Sequence, residues 1–306
     1  KIQEKIPLIS PFWYNIASRA RRSTVGPASY KDQTKVRLFP SPLMQLFEKP
    51  TFGNLQKKIA SLREKKGKER ETLSLIDRAI NFGQGVVVGL LWDRALVYQH
   101  IVMVEDSKEL KNPKRRSSAL GKMEASVLSA GKYIKENGLK EWESRYYRFL
   151  GRVYDYRGNF EKSIEVYKKA IPLAKFDPDF TQKGLPRWLE IEGFLSYALL
   201  MSGRIKDGYS LARKIYSKFD NSPEGRSLKE KDYYTWAIWK SGISIRTFGA
   251  FLSGKYTFDK DEMLSWLSHT EAILNPPKNI RIWGDFGLRK DEVAALKRKL
   301  QKFKVQ

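Results

Sequence analysis

This chain of 306 residues carries 58 Lys or Arg against 34 Asp or Glu, a formal charge of +24, and is long enough to bury a substantial core. It has no cysteine, which excludes disulfides, thiolate catalysis and zinc–cysteine sites. A surface this basic draws anionic partners: nucleic acid, acidic lipid headgroups or acidic protein segments.

Residues 1 to about 53 read as an irregular arm. Six of the thirteen prolines fall here, and proline removes a backbone donor and blocks helix interiors. A short amphipathic helix fits residues 12–22, where Trp13, Ile16 and Ala20 share a side and Arg19, Arg21 and Arg22 follow. Apolar islands at 36–39 and 43–47 argue for an arm that packs along something rather than a fully disordered one. A basic helix is expected from Asn54 to Arg70, with Leu55, Ile59 and Leu62 as a narrow apolar stripe. Residues 1–70 hold 16 Lys or Arg against 5 Asp or Glu, so nearly half of the excess charge sits in under a quarter of the chain.

Residues 71–106 form a long helical pattern broken near Gly83-Gln84-Gly85. That glycine pair lacks the following lysine and hydroxyl of a phosphate-binding loop. The most apolar run, 86–92, is far too short for a bilayer and is followed at once by Asp93 and Arg94, so a cytoplasmic protein is expected. A basic connector over 108–122 contains Lys114, Arg115 and Arg116. Asn112-Pro113 stops the preceding helix, Ser117 or Ser118 is expected to cap the next, and Gly138 to end it.

From Glu141 to Lys175 two short helices flank a Gly158-Asn159 turn. Tyr147, Leu150, Gly151 and Tyr154 recur at helical spacing on the first, and Phe160, Ser163, Tyr167 and Ala170 on the second. Small residues let two antiparallel helices approach, and aromatics fill the holes beside them. Over 144–177 these positions resemble the tetratricopeptide-repeat family, with Ser163 where alanine is common and Lys175 where proline often closes the repeat. A second pair, Leu189–Ser202 and Ile205–Phe219, repeats the small positions about 45 residues on, with Gly208 aligned to Ser163. A third echo has Tyr233–Leu252 as its first helix, Gly254 at the turn, and Asp259 or Asp261 opening the next helix. Weak strand signals appear at 36–39 and 279–283. Lys290–Phe303 reads as a polar terminal helix that would cap a stack.

The resemblance implies an all-α, right-handed α-solenoid of tetratricopeptide-like hairpins over 71–306, behind a basic irregular arm over 1–70. It also implies a protein or peptide partner held in the concave groove of the first helices, here at Arg145, Arg148, Arg152, Asp155, Tyr156 and Tyr197. Arg145, Arg148 and Arg152 lie at i, i+3 and i+7, so their guanidiniums share one stripe suited to carboxylates. The family's chaperone-tail clamp uses lysine and asparagine there, and Glu190, Gly193, Leu200 and Met201 in the next repeat do not continue it.

A rival reading is a nucleic-acid-associated (RNA or DNA) protein using Arg19, Arg21, Arg22, Lys57, Lys58, Lys65, Lys66, Lys114, Arg115 and Arg116. A third is attachment to anionic membrane through Trp13 and the neighbouring arginines. No G-x-S-x-G elbow exists, and His100 and His269 lack ligand-like neighbours. No catalytic residue, metal site or cofactor is therefore expected.

Overall fold

The computed structural model describes residues 52–82, 87–108, 110–254, 256 and 259–302. Among them the protein is all helical, and no residue forms a β-strand. The expected helix at 12–22, the strand signal at 36–39 and Arg19, Arg21 and Arg22 lie outside the described residues.

The first hairpin joins α1 (Phe52–Leu62) to α2 (Glu69–Phe82). Leu55, Ile59 and Leu62 are buried, the stripe that the spacing predicts. The expected helix through Arg70 ends eight residues early. Residues 63–68 turn back, and Gly67 at φ +81° takes the left-handed conformation that a side chain resists. Then come α3 (Val87–Ser107) and α4 (Pro113–Glu136). Asn112, not Ser117 or Ser118, caps α4: its side chain accepts from the Arg115 N–H, and Pro113 opens the first turn, where its missing N–H costs nothing.

The best-matched hairpin is α5 (Glu143–Tyr156) and α6 (Phe160–Leu173). Gly158 turns the chain at φ +74°, and the Asn159 side chain accepts from the Lys162 N–H to start α6. Ser163 donates to the Gly151 carbonyl at 3.3 Å, so the two backbones touch at the small residues. Pro172 sits inside the last turn of α6, and a 3₁₀ turn follows at Ala174–Phe176. A short helix, α7 (Pro178–Lys183), follows, capped by the Asp177 side chain.

The next hairpin, the second pair of the repeat expected from the sequence, is α8 (Arg187–Met201) and α9 (Ile205–Asn221), turning at Gly203. After it come α10 (Pro223–Lys231), α11 (Tyr233–Gly254), α12 (Lys260–Leu274) and α13 (Gly287–Lys302). The weak strand signal at 279–283 is coil and bend.

Neighbouring helices pack on one another: α3 on α4, α4 on α5, α6 on α8, and α8 on both α9 and α11. The core is aromatic-rich, with Trp236, Tyr167, Phe219 and Phe248 fully buried. Each such side chain contributes about 1.5–3 kcal/mol by leaving water. The last helix does more than cover an open end. Val293 and Leu296 are buried, and α13 packs on α11 and also on α3. Beside it the Lys66 N–H donates to Asp285 at 3.1 Å, the Lys66 ammonium sits 2.5 Å from Asp291, and the Tyr234 hydroxyl donates to Glu64 at 3.4 Å. The first described hairpin is thereby tied to the last. No helix among the described residues is long and apolar enough to cross a membrane.

Candidate functional site

Between the joined ends lies a cavity of about 240 Å³, partly open to solvent. Its walls come from the turn after α1, from α3, α5, α8, α11 and α13, and from the loop at Trp283–Asp285. Aromatic rings and aliphatic side chains, among them Leu96, Met103 and Ile238, supply the apolar part. Trp92 stacks flat on Phe149 with centroids 5.2 Å apart, and Trp142, Phe194 and Trp239 also line the space.

Arginines supply the rest, and α5 aims three of them inward. Arg145 reaches Asp177 through two hydrogen bonds of 2.9 Å and also lies 2.5 Å from Asp179. Arg148 forks onto Glu190 at 2.5 and 3.2 Å. Arg152 binds Asp155 and the Tyr156 hydroxyl, each at 2.7 Å. From α8, Arg187 contacts Asp179 at 2.5 Å; from α13, Arg289 contacts Glu292 at 2.6 Å; Arg63 pairs with Asp93.

The electrostatics follow from these pairs. Burial alone would raise Glu190, but the Arg148 and Arg187 charges outweigh it and hold the carboxyl below its ordinary value. Burial likewise works against Asp179, and Arg145, Arg187 and Lys183 together hold it far down.

Arg246, on α11, is different. It makes no ion pair among the described residues, and its Nε is buried without a hydrogen-bond partner. Its guanidinium lies over the Phe194 ring at 4.5 Å, with the Arg152 guanidinium 4.7 Å from the same ring. Burial, then the like charges of Arg152 and Arg289, push Arg246 down to about 9, while Glu292 and Glu190 pull the other way. At neutral pH it therefore keeps its proton. Physically it is a cation short of negative charge.

The expected groove residues thus divide. Arg145, Arg148 and Arg152 line the cavity but are already engaged by the protein's own acids. Tyr156 lies outside the lining, holding Arg152 through its hydroxyl. Tyr197 also lies outside the lining, packed edge-on to Phe160, and burial pushes its hydroxyl up to about 12. Asp155 is buried, accepting from Arg152 and from the Tyr167 hydroxyl at 2.7 Å. Arg246 and Arg289 escape any spacing argument within the repeats. One signal was available: Lys240 and Arg246 are the only charged residues in the 22-residue α11.

The basic patch is partly neutralised. Lys58 pairs with Glu71, Lys66 with Asp291, Arg115 with Glu105 and Arg116 with Asp106, while Lys57, Lys65 and Lys114 are exposed. His100 is buried at the cavity wall, and burial lowers its pKa, so the ring is neutral at pH 7. His269 is exposed beside the Tyr216 hydroxyl at 3.3 Å. Among the described residues no group of three or more metal-ligating side chains could hold an ion.

Comparison with known proteins gives no family: no protein-family model matches this chain, and no curated protein matches it in sequence.

Proposed function

We propose that this chain is a non-enzymatic binding protein, a scaffold of tetratricopeptide-like hairpins in a right-handed solenoid. Its concave face takes an acidic side chain from a protein or peptide partner. The observation that carries the reading is Arg246, a cation without an ion pair among the described residues, in a cavity lined by α5, α8 and α11. In tetratricopeptide-like proteins the first helix of each hairpin lines the groove, and α5 and α8 are those helices here. An incoming carboxylate gains charge-assisted hydrogen bonds while relieving the repulsion among Arg152, Arg246 and Arg289. Arg145, Arg148 and Arg152 act beneath it as a rigid, self-neutralised floor.

The test is fluorescence anisotropy with a labelled Glu-Ala peptide and its Gln-Ala counterpart. The expected outcome is binding of the acidic peptide only, weakened about tenfold or more by Arg246→Gln, since a hydrogen bond to a charged group is worth about 1.5–3 kcal/mol. Equal binding of both peptides, or an indifferent variant, removes the reading. Generic RNA, DNA and anionic vesicles in the same assay separate it from the nucleic-acid and membrane alternatives. Tight, steeply salt-dependent binding of those probes, independent of Arg246, would favour them.

A further inference from the structure

The reading above requires only that an anionic group can reach Arg246; the lining says more about what else can bring one. We propose that the cavity is also a site for a free small aromatic oxyanion, a single-ring carboxylate or phosphate ester, which occupies the place of the partner's acidic side chain and competes with it. This rests on the proposed function in one respect, that Arg246 is open to an anion.

Four observations point to that ligand class. The first is charge. Around Arg246 the nearest arginines are matched, Arg148 by Glu190, Arg152 by Asp155 and Arg289 by Glu292, which leaves Arg246 without a carboxylate of its own among the described residues.

The second is the kind of polar atom that lacks a partner. On the cavity lining these are the Nε atoms of Arg63, Arg152, Arg187 and Arg246, the Trp92 indole Nε1, and the Gln99 Oε1. All but the last are donors and each is shielded from the open space; it is the donor excess of the arginine-rich lining as a whole that favours a molecule rich in acceptors and poor in donors. Carboxylates and phosphates have that character.

The third is a cradle at Gly242. A Cβ added there would lie 2.8 Å from Arg246 Nη1, and 3.1 Å from both Arg246 Nη2 and Arg289 Nη2. Two like-charged guanidiniums therefore converge over bare backbone, where a shared oxyanion lowers the energy of both. Glu292 satisfies Arg289 from its own helix and leaves Arg246 unpaired.

The fourth is size and shape. About 240 Å³ falls below the roughly 300–1,000 Å³ of sites for drug-sized ligands, which suits one ring with a charged substituent but not a length of peptide backbone. Trp92, Trp142 and Trp239 border the space, while the faces of Phe149 and Phe194 are taken by Trp92, Tyr167 and the arginines, so a ligand ring meets indole and guanidinium groups.

The experiment uses the full chain and follows tryptophan fluorescence, since Trp92, Trp142, Trp239 and Trp283 surround the cavity. The probes are benzoate, phenyl phosphate, benzamide, cyclohexanecarboxylate and inorganic phosphate. Benzoate or phenyl phosphate is expected to bind at one site and displace the Glu-Ala peptide; which of them binds tighter identifies the anionic group. Benzamide, isosteric but neutral, is expected to bind about tenfold or more weakly, and so is the Arg246→Gln variant. Gly242→Ala, which sets a methyl between the two guanidiniums, is expected to weaken benzoate while keeping the helical circular dichroism. It decides the question if Arg246→Gln unfolds.

Benzamide matching benzoate, or cyclohexanecarboxylate binding as well as both aromatic anions, overturns the proposal. Binding of inorganic phosphate without preference for the aromatic anions does so too. If the acidic peptide binds through Arg246 and benzoate does not, this inference falls and the proposed function stands. If neither binds, both fall.

Discussion

At the scale of single residues, the buried ion pairs are unequal, and the inequality follows from which partner can reach water. Lys240 is fully buried; its ammonium is 2.5 Å from Asp220 and 4.6 and 5.1 Å from the Tyr216 and Trp236 rings. Burial lowers its pKa against the pull of Asp220, whose own side chain is 39% exposed. Removing the aspartate strands a charge in the core, whereas removing the lysine leaves a carboxylate that water can solvate. We expect Asp220→Ala to cost about 3–5 kcal/mol and the volume-conserving Lys240→Met about 1 kcal/mol or less, read from urea denaturation midpoints. The reverse order would mean that Asp220 needs Lys240 more than Lys240 needs Asp220. The same contrast explains what the sequence made readable at the site. Arg145, Arg148 and Arg152 announce themselves through their spacing within one helix. Their neutralising partners do not, because Glu190 sits 42 positions from Arg148 and Asp177 sits 32 from Arg145. Nor does Arg246, whose crowding by like charge depends on Arg152 and Arg289 arriving from other helices.

At the scale of elements, close approach between paired helices is the organising feature. Gly208 of α9 comes so near α8 that an added Cβ would meet the Leu200 backbone nitrogen at 2.7 Å and the Ser196 carbonyl oxygen at 2.8 Å. Backbone cannot swing aside as a side chain can, so Gly208→Ala should push the helices apart and destabilise by about 1–3 kcal/mol despite alanine's better helix propensity. Thermal unfolding checks the sign; a variant as stable as the parent would mean that the pair tolerates a wider spacing. Alignment of Gly208 with Ser163 marks this contact from residue type alone, and the turns at Gly158 and Gly203 are equally legible, since their positive φ favours glycine. Two short helices were not. Both α7 and α10 begin with proline behind a capping side chain, Asp177 and Ser222, but at six and nine residues they are too short to establish a period. The break at residues 63–68 escaped for the opposite reason: lysine-rich sequence continues the helical composition straight through a turn that only Gly67 betrays.

For the molecule as a whole, stability should depend on pH through the carboxylates that face the arginines. Glu190 and Asp179 have folded pKa values held below their ordinary ones, so their contribution is fully present above the unfolded values, near about 4, and is lost as pH falls through that range toward the folded values. Glu190→Gln removes one such group and leaves Arg148 underpaired. Relative to wild type, the variant should be less stable at pH 7, and the gap should shrink below about pH 4. Urea midpoints across that range measure it; a constant gap would show that Glu190 acts only through packing. Hairpin architecture was largely foreseeable because contacts between successive helices are local in sequence. The join between Lys66 and Asp285, spanning 219 positions, has no local signature at all. That join sets a timetable for the site. During synthesis the early hairpins can assemble as they emerge, yet the chamber has no far wall until α13 arrives to supply Arg289. A chain cut before Gly287 is therefore expected to keep its early hairpins and to lose the cavity.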